Sequence, residues 1–257
     1  MKKDRVKRIP VASIFNRREV LSFLGGTAAV SLLGCLRGQS ASVEPTGTST
    51  QTAIAATPSC VVRPQQTEGP YFVDEKLNRS DIRSDPSDGS VKQGVPLRLV
   101  FHVSRINGSF CTPLRGATID LWHCDAMGVY SDVADPSFST VGKKFLRGYQ
   151  VTDANGTVNF VTIYPGWYPG RTVHIHFKIR TDSASQQGYE FTSQLYFDDA
   201  LTDQIHAQAP YAAKGQRTQR NDQDGIFQGG GQQLILQLTK DAVGYVGTFD
   251  IGLQLTN

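Results

Sequence analysis

Two histidines stand two positions apart in the stretch R-T-V-H-I-H-F at 171–177, in a chain with only 5 His among 257 residues. The stretch alternates between apolar and polar residues, which is typical of a β-strand. Alternate side chains of a strand share a face, so His174 and His176 point the same way, with Cα atoms roughly 7 Å apart. Two imidazoles at that spacing can converge on one metal ion. The alternative is a pair of surface histidines on the solvent face of an edge strand.

Tyrosines lie close to this pair in the sequence. Tyr164 and Tyr168 precede the predicted strand, and Tyr130 ends L-W-H-C-D-A-M-G-V-Y. A phenol has a pKa of about 10, so only a highly charged ion such as Fe³⁺ would hold it as a phenolate near neutral pH. Two phenolates and two neutral imidazoles would leave a ferric site with one positive charge. For any one tyrosine taken alone, packing in the core is the commoner role.

Short strands are the elements that must position these side chains. Alternation with a period of two predicts strands at 95–103, 117–121, 148–152, 157–163, 172–181, 189–197, 232–239 and 245–255. One helix is predicted at 199–208, with Asp198 or Asp199 as its N-cap. Asn155-Gly156 indicates a hairpin between the strands on either side of it. About eight mostly antiparallel strands and one short helix predict an all-β fold, a β-sandwich.

The first residues predict export. Residues 1–34 combine a basic stretch, the pair Arg17-Arg18 and a short apolar run that ends in L-L-G before Cys35. This pattern is typical of twin-arginine and lipoprotein signals, so we expect an exported protein, periplasmic or at the cell surface, anchored to the membrane by lipid on Cys35. The alternative is a plain signal peptide that is cleaved elsewhere. Residues 35–59 are rich in Ser, Thr, Ala and Pro, which predicts a flexible tether before a domain at 60–257.

Charge and cysteines narrow the function further. Residues 1–34 carry seven Lys or Arg and two acidic residues, a net +5, so the rest of a chain of formal charge +3 carries −2. No basic patch then remains to indicate nucleic-acid binding. Export favours one disulfide among Cys60, Cys111 and Cys124, with one thiol left over. Cys124 is interpreted as a buried thiol or disulfide partner rather than a ligand, because thiolate suits softer metals.

Taken together, the motifs resemble those of the intradiol ring-cleavage dioxygenases, the non-haem Fe³⁺ enzymes that include catechol 1,2-dioxygenase and protocatechuate 3,4-dioxygenase. They occur in family order over roughly residues 60–200. The matching stretches are T-E-G-P-Y-F at 67–72, L-W-H-C-D-A-M-G-V-Y-S at 121–131, R-G-Y-Q-V-T-D-A-N-G at 147–156, F-V-T-I-Y-P-G-W-Y-P-G-R-T-V-H-I-H-F at 160–177 and Q-L-Y-F at 194–197.

The resemblance implies four ligands for Fe³⁺: Tyr130, Tyr168, His174 and His176. Tyr164 is the rival for the second tyrosine, although P-G-W-Y matches the family better at Tyr168.

The resemblance also implies how the site would work. Arg171 occupies the position of the family's active-site arginine, and Gln194 that of a glutamine near the substrate. Tyr168 corresponds to the tyrosinate that the substrate displaces and that can take up substrate protons. The implied reaction opens a catechol-type ring between its two hydroxyls with O₂ to give a muconate-type diacid. Taken alone, Arg171 could be a surface ion pair and Gln194 a solvated side chain.

Two departures and two alternatives accompany the resemblance. The loop P-G-R-T-V between Tyr168 and the histidines is short, and no N-terminal helical region like that of the catechol enzymes is present. The sequence therefore resembles the compact protocatechuate-type members more closely. One alternative is a non-catalytic exported β-sandwich that serves as a binding module. The other is a Zn- or Cu-binding lipoprotein that uses only the histidine pair.

Overall fold

The computed structural model describes residues 61–181 and 188–255. Within these ranges the strands are β1 (Pro96–Asn107), β2 (Phe110–Pro113), β3 (Thr118–Trp122), β4 (Ala134–Asp135), β5 (Phe138–Ser139), β6 (Arg147–Val151), β7 (Thr157–Ile163), β8 (His174–Thr181), β9 (Tyr189–Tyr196), β10 (Leu238–Lys240) and β11 (Tyr245–Leu253). The helices are α1 (Asp199–His206) and α2 (Gly225–Gln228), with 3₁₀ turns at Tyr211–Lys214, Asn221–Gln223 and Gly231–Leu234.

Two sheets form a sandwich. The first has the order β6-β3-β8-β9 and is antiparallel throughout. The second has the order β10-β11-β1-β2, with β7 also paired to β1. Phe177 of β8 packs against Phe101 of β1 and Phe249 of β11, with ring centroids 5.4 and 5.3 Å apart. The predicted β-sandwich is therefore confirmed, although β1 and β11 pair in parallel.

Several predicted elements differ in detail. The structure adds the short strands β2, β4 and β5 and the helix α2. The predicted helix at 199–208 is α1, and the Asp198 side chain caps it by accepting from the amide of Leu201 at 2.9 Å. The predicted strand at 172–181 begins two residues later, at His174. The Thr172 amide donates to the side chain of Asp224 at 2.9 Å instead of to a neighbouring strand.

The predicted strand at 232–239 is wrong over most of its length. A 3₁₀ turn occupies Gly231–Leu234 and only Leu238–Lys240 is a strand. Between them, the amide of Leu236 donates to the carbonyl of Tyr196 at 2.9 Å. The alternating leucines predicted a strand, and Leu234 and Leu236 are both buried as that pattern indicates, but the backbone between them forms no strand ladder. Because this segment passes from the edge of one sheet to the edge of the other, both of these leucines pack inward.

The predicted hairpin at Asn155-Gly156 is also wrong. β6 belongs to the first sheet and β7 to the second, so this turn joins the two sheets instead of two paired strands. The Asp153 side chain closes the turn by accepting from the amides of Asn155 at 2.8 Å and Thr157 at 2.9 Å. Gly156 has a φ of 71°, and a Cβ there would lie 2.2 Å from the carbonyl oxygen of Val103. Glycine is required because the turn docks on β1.

The N-terminal predictions lie outside the described residues. The export signal at 1–34, the tether at 35–59, Cys35 and Cys60 all belong to that part of the chain and stay predictions. Of the described cysteines, Cys111 is disulfide-bonded and Cys124 is a free, buried thiol. No helix in the described ranges is long and apolar enough to cross a membrane.

Residues 61–78, here called the cover segment, run from β11 along the edge of β9 and then across the outer face of the first sheet to the edge of β6. The amide of Gln66 donates to the carbonyl of Thr192 at 3.0 Å. The carbonyl of Pro64 accepts from the hydroxyl of Ser193 at 2.8 Å. The ring of Phe72 packs on Trp122 with centroids 4.8 Å apart. The outer face of this sheet is consequently shielded from solvent, although it carries polar side chains.

Candidate metal centre

His174 and His176 lie on a central strand and are buried. β8 runs between β3 and β9, and each histidine is 2% exposed. Ile175 and Phe177 point to the opposite face and belong to the apolar core. The period of two correctly assigned the two faces of this strand. The alternative of surface histidines on an edge strand is wrong, because the cover segment shields the outer face of a central strand.

The four predicted ligands lie together. Tyr168 Oη and His174 Nε2 are 3.0 Å apart, and His174 Nε2 and His176 Nε2 are also 3.0 Å apart. The ring of Tyr130 lies 5.8 Å from that of Tyr168 and 6.2 Å from that of His176, centroid to centroid. The fold thus gathers side chains from the loop after β3, the loop before β8 and β8 itself at one point.

Hydrogen bonding fixes the tautomer of His174. Its Nδ1 lies 2.6 Å from the carbonyl oxygen of Thr172, which can only accept, so Nδ1 carries the proton. Burial, together with the Arg171 charge, lowers the pKa of His174 to about 3, so the ring is neutral at pH 7. Nε2 therefore presents a lone pair toward Tyr168 and His176. A carbonyl oxygen that orients a metal-binding imidazole in this way is a common outer-shell arrangement.

Tyr130 is buried and Tyr168 is half-buried, and both phenols are neutral in the absence of a cation. Burial raises the pKa of Tyr130 and of Tyr168 well above the ordinary value. Within 61–181 and 188–255, neither the fully buried hydroxyl of Tyr130 nor the buried Nδ1 of His176 has a hydrogen-bond partner of normal geometry. Leaving a buried polar group unpaired costs about 1–3 kcal/mol, so such groups in native structures need an explanation.

This donor set fits Fe³⁺. Two ligands bonded at about 2.1 Å to one ion, at right angles to each other, lie about 3.0 Å apart, as the paired atoms here do. No group of three or more His, Cys, Asp or Glu side chains that could hold a metal occurs within 61–181 and 188–255. A metal at the histidine pair would therefore need the tyrosines, and phenolate ligands favour a hard, highly charged ion.

Neighbouring rings hold the ligands in place. Trp122, directly opposite His176 in the register of β3 and β8, stacks on its imidazole with centroids 5.0 Å apart and planes 7° apart. Tyr71 of the cover segment packs on Tyr130 at 4.7 Å. Gly69 approaches so closely that a Cβ there would lie 3.3 Å from Cε1 of His176. The T-E-G-P-Y-F motif thus forms the roof over the ligands.

The turn before Tyr130 is built by an aspartate and a glycine. The carboxylate of Asp125 accepts from the amides of Met127 and Val129, both at 3.0 Å. Gly128 has a φ of 76°, and a Cβ on it would lie 2.1 Å from the carbonyl oxygen of Trp167. The A-M-G-V-Y motif therefore needs glycine so that the loops carrying Tyr130 and Tyr168 can pack together.

Arg171 and Gln194 join the site through hydrogen bonds. Arg171 lies in the loop before β8, and its guanidinium donates to Gln194 Oε1 at 2.6 Å and to Asp224 Oδ2 at 2.8 Å. Gln194 is fully buried, and its amide group donates to the carbonyl of Thr67 at 2.9 Å. The alternatives of a surface ion pair for Arg171 and a solvated Gln194 are therefore wrong. Gln194 also stands directly opposite His176 in the register of β8 and β9.

Asp224 belongs to the site although none of the quoted motifs includes it. Its carboxylate holds Arg171, accepts from the amide of Thr172 and caps α2 through the amide of Ile226 at 2.8 Å. It stands 53 positions after Arg171, beyond every quoted motif. The weak signal available was D-Q-D-G, a cap-like sequence before a short turn.

The other candidates lie elsewhere. Tyr164 points into the main core, and its hydroxyl lies 2.6 Å from Thr202 Oγ1, so Tyr168 is the tyrosine near the histidines. Burial raises the pKa of the Cys124 thiol to about 12, which keeps it protonated. Both nitrogens of His123 have partners, the carbonyl of Cys124 at 2.8 Å and Thr162 Oγ1 at 2.7 Å.

Comparison with known proteins decides the family. A family model described as "Dioxygenase" matches residues 67–228, more than half of the chain. The solved structure of an intradiol ring-cleavage dioxygenase from Tetranychus urticae has a TM-score of 0.64 and 31% identity, covering 76% of this chain and 95% of that chain. The chain belongs to the intradiol ring-cleavage dioxygenase family.

Two members of the family align with the chain over more residues than the quoted motifs cover. The chain is 32% identical over 173 residues to the protocatechuate 3,4-dioxygenase beta chain of Burkholderia cepacia, covering 62% of this chain and 71% of that protein. It is 27% identical over 162 residues to catechol 1,2-dioxygenase 1 of Acinetobacter lwoffii, covering 53% of this chain and 49% of that protein. The chain therefore spans about half the length of the second relative.

In this intradiol family member a cavity of about 480 Å³ opens beside the two phenols. A ring-sized ligand fits a cavity of this size. Its lining residues are Tyr71, Met127, Gly128, Val129, Tyr130, Asp135, Ser137, Phe138, Tyr168, Pro169 and Lys214. A second cavity of about 500 Å³ lies between α1 and residues 211–220, and none of the predicted site residues lines it. The first cavity is the better substrate site because it reaches two proposed ligands.

Proposed function

We propose that this chain is a non-haem Fe³⁺ dioxygenase that cleaves a catechol-type ring between its two hydroxyls with O₂. The product would be a muconate-type diacid. Both atoms of O₂ end in that product, so the reaction needs no further oxidant or reductant. Membership of the intradiol family supports ring cleavage in general, and the ferric site and the substrate are the finer part of the proposal.

One observation carries the ferric site. His174 Nε2 lies 3.0 Å from both Tyr168 Oη and His176 Nε2, and the buried hydroxyl of Tyr130 beside them has no hydrogen bond of normal geometry to any described residue. Two phenols and two imidazoles would hold Fe³⁺, which when bound would act as a Lewis acid that opens the catecholate to attack by O₂.

The side chains around the proposed iron site have separate roles in the reaction. Tyr168 is only half-buried and lines the cavity, so its phenolate oxygen is the one placed to accept a proton from an incoming catechol hydroxyl. Arg171 is a fixed cation beside the ligands, held by Asp224 and Gln194, and would stabilise negative charge that develops on the ring. The cover segment excludes water from the outer face of the sheet, which strengthens that electrostatic effect.

The alternatives receive less support. A Zn- or Cu-binding protein using only the histidine pair would have two protein ligands, fewer than the three or four usual for zinc. A non-catalytic binding module would not need a half-buried arginine held in place by two other side chains. No specific observation favours either function.

Product analysis tests the reaction. Purified, iron-loaded protein incubated with catechol-type substrates should consume O₂ and give the diacid from cleavage between the hydroxyls, identified by mass spectrometry and NMR. Gln216→Ala, an exposed change at the second cavity, serves as a control that should behave like wild type. A semialdehyde from cleavage beside the hydroxyls would contradict the proposal, and so would the absence of any ring opening.

We also propose that the chain is exported and lipid-anchored through Cys35, on the strength of its N-terminal sequence alone. Mass spectrometry of the protein from its native cell should show an acylated N-terminal cysteine. An unmodified N-terminus at any position in 36–59 would refute the anchor and leave export in place.

A further inference from the structure

Lys214 brings a positive charge to the cavity beside the proposed ferric site. It ends the 3₁₀ turn Tyr211–Lys214 and is half-buried. It lines the same cavity as Tyr130 and Tyr168, and among the described lining residues it is the only cation. None of the motifs that identified the family includes this residue.

The ammonium group of Lys214 is held in place on the cavity wall. Its Nζ donates to the carbonyl oxygen of Met127 at 2.5 Å and lies 4.8 Å from the centre of the Trp167 ring. Trp167 Nε1 donates to the carbonyl of Gly215 at 3.2 Å, which ties the turn to the loop that carries Tyr168. A Cβ on Gly128 would lie 2.4 Å from Nζ. The ammonium therefore has a defined position on the cavity wall instead of moving freely in solvent.

This ammonium forms no ion pair with any carboxylate of the described residues. Within the described part of the chain, no carboxylate lies within 4.0 Å of Lys214 Nζ, whereas other lysines form ion pairs: Lys92, Lys143, Lys144 and Lys178. An ammonium has three N–H donors, and one donates to the carbonyl of Met127. Burial lowers the pKa of Lys214 by more than the charge of Asp125, which is itself paired with Lys92, raises it.

The acid on the cavity wall does not neutralise this charge. Asp135 is the only carboxylate among the described lining residues. It accepts from the hydroxyl of Tyr71 at 2.7 Å and from the amide and hydroxyl of Ser137 at 2.9 and 2.5 Å. Arg171 is likewise occupied by Asp224. The cavity therefore offers one unpaired cation to a ligand whose ring reaches the phenols.

We infer that Lys214 selects a catechol with a carboxylate on its ring, and that the carboxylate accepts a charge-assisted hydrogen bond from its Nζ. This inference rests on the proposed function, since the ring must reach the proposed ligands Tyr130 and Tyr168. A hydrogen bond between ionised groups in a partly dry cavity gives discrimination against a substrate that lacks the charge. The natural substrate class would then be dihydroxybenzoates rather than unsubstituted or alkyl catechols.

The test compares substrates that differ in charge. Iron-loaded wild type, Lys214→Met, Lys214→Arg and the control Lys240→Met, an exposed lysine on β10, are assayed with 3,4-dihydroxybenzoate, catechol and 4-methylcatechol. Anaerobic calorimetric titration with each substrate gives a binding constant that does not depend on turnover. We expect wild type to have the highest kcat/KM with 3,4-dihydroxybenzoate. In Lys214→Met the ratio of kcat/KM for 3,4-dihydroxybenzoate over 4-methylcatechol should fall about 10- to 100-fold.

The remaining outcomes separate this inference from the proposed function. Lys214→Arg should keep part of the preference, Lys240→Met should keep all of it, and binding constants should follow the same order. Equal kcat/KM for the three substrates, or a ratio unchanged by Lys214→Met, would overturn the inference and leave ring cleavage intact. Cleavage of none of the three substrates would overturn the proposed function and the inference with it.

Discussion

Strand β8 has an inner face and an outer face that are both buried but differ in what burial requires. The inner face packs Ile175, Phe177 and Ile179 against apolar side chains of both sheets. The outer face carries His174, His176 and Lys178 beneath the cover segment. Apolar side chains need only a matching shape, whereas each buried polar atom also needs a partner.

Partners are present along most of the outer face and missing at one end. The ammonium of Lys178 pairs with Glu68 and Glu190 and lies 4.2 Å from the centre of the Phe72 ring. At the other end, Nδ1 of His176 and the hydroxyl of Tyr130 find no partner of normal geometry in the part of the chain that the structure describes. The Lys178 end of the outer face is stabilised by ion pairs, whereas His176 and Tyr130 keep unpaired polar atoms that lower stability. This difference indicates that His176 and Tyr130 are retained for function.

The largest effect should come from removing a proposed ligand. His176→Ala should abolish iron binding and lower turnover at least about a thousandfold, because Lewis-acid stabilisation by the metal is worth several kcal/mol. The fold should survive, since the substitution removes a buried polar group that lacks a partner for Nδ1. Metal analysis, O₂ uptake and circular dichroism would measure the three quantities. Retention of one iron per chain with full activity would contradict the assignment of His176.

The neighbouring residue on the inner face should show the reverse pattern. Phe177→Ala removes a fully buried ring that contacts Phe101, Phe191 and Phe249. The free energy of unfolding should fall by about 3–5 kcal/mol from lost transfer energy and a new cavity. Below the unfolding transition the variant should still bind iron. Denaturant titration measures the loss, and a cost below about 1 kcal/mol would show that the inner face is not the packed core described here.

Arg171 tests the electrostatic part of the outer face. Arg171→Ala should keep iron and still bind catechol, while kcat falls about 10²–10³-fold, because a fixed cation near developing charge is worth roughly 3–4 kcal/mol. Arg98→Ala, at an exposed ion pair with Asp241, is the matched control and should retain wild-type kinetics. A rise in KM with kcat unchanged would make Arg171 a binding residue only.

The smallest effect concerns His123, whose ring nitrogens both have partners. Burial lowers its pKa to about 4 from an ordinary value of 6.5. The folded state then binds fewer protons than the unfolded state between these values, so stability from this group is present above pH 6.5 and is lost as the pH falls toward 4. The loss is at most roughly 3 kcal/mol.

Urea unfolding of iron-free protein at pH 7 and pH 4.5 measures this loss, and His123→Gln should reduce the difference between the two pH values. Iron binding at pH 7 should be unaffected, because His123 is not a proposed ligand. An equal pH dependence in wild type and His123→Gln would refute the assignment.

The sequence was informative where local periodicity or a motif sets the structure. Alternation placed His174 and His176 on one face, and the motif resemblance chose Tyr168 over Tyr164, which the structure places at Thr202. Alternation failed at Leu234 and Leu236, because a leucine pattern does not reveal whether the backbone amides will find a neighbouring strand.

Residues that reach the site through long-range folding could not be predicted. Asp224 and Lys214 follow α1, and nothing local indicates that the chain returns to Arg171 and to the cavity. The carbonyl of Thr67, which accepts from Gln194, belongs to the cover segment, more than a hundred positions earlier in the chain. Such positions depend on how the elements pack rather than on the pattern within any one of them.

The visible absorption spectrum of purified, iron-loaded protein tests the ferric site most directly. Phenolate coordination to Fe³⁺ absorbs strongly, so the protein should be red-brown with a broad visible band. Tyr130→Phe and Tyr168→Phe should each weaken or shift that band, whereas Tyr164→Phe should leave it unchanged. A protein that stays colourless after loading with iron, or a band that survives loss of both Tyr130 and Tyr168, would contradict a site built from these two tyrosines and the histidine pair.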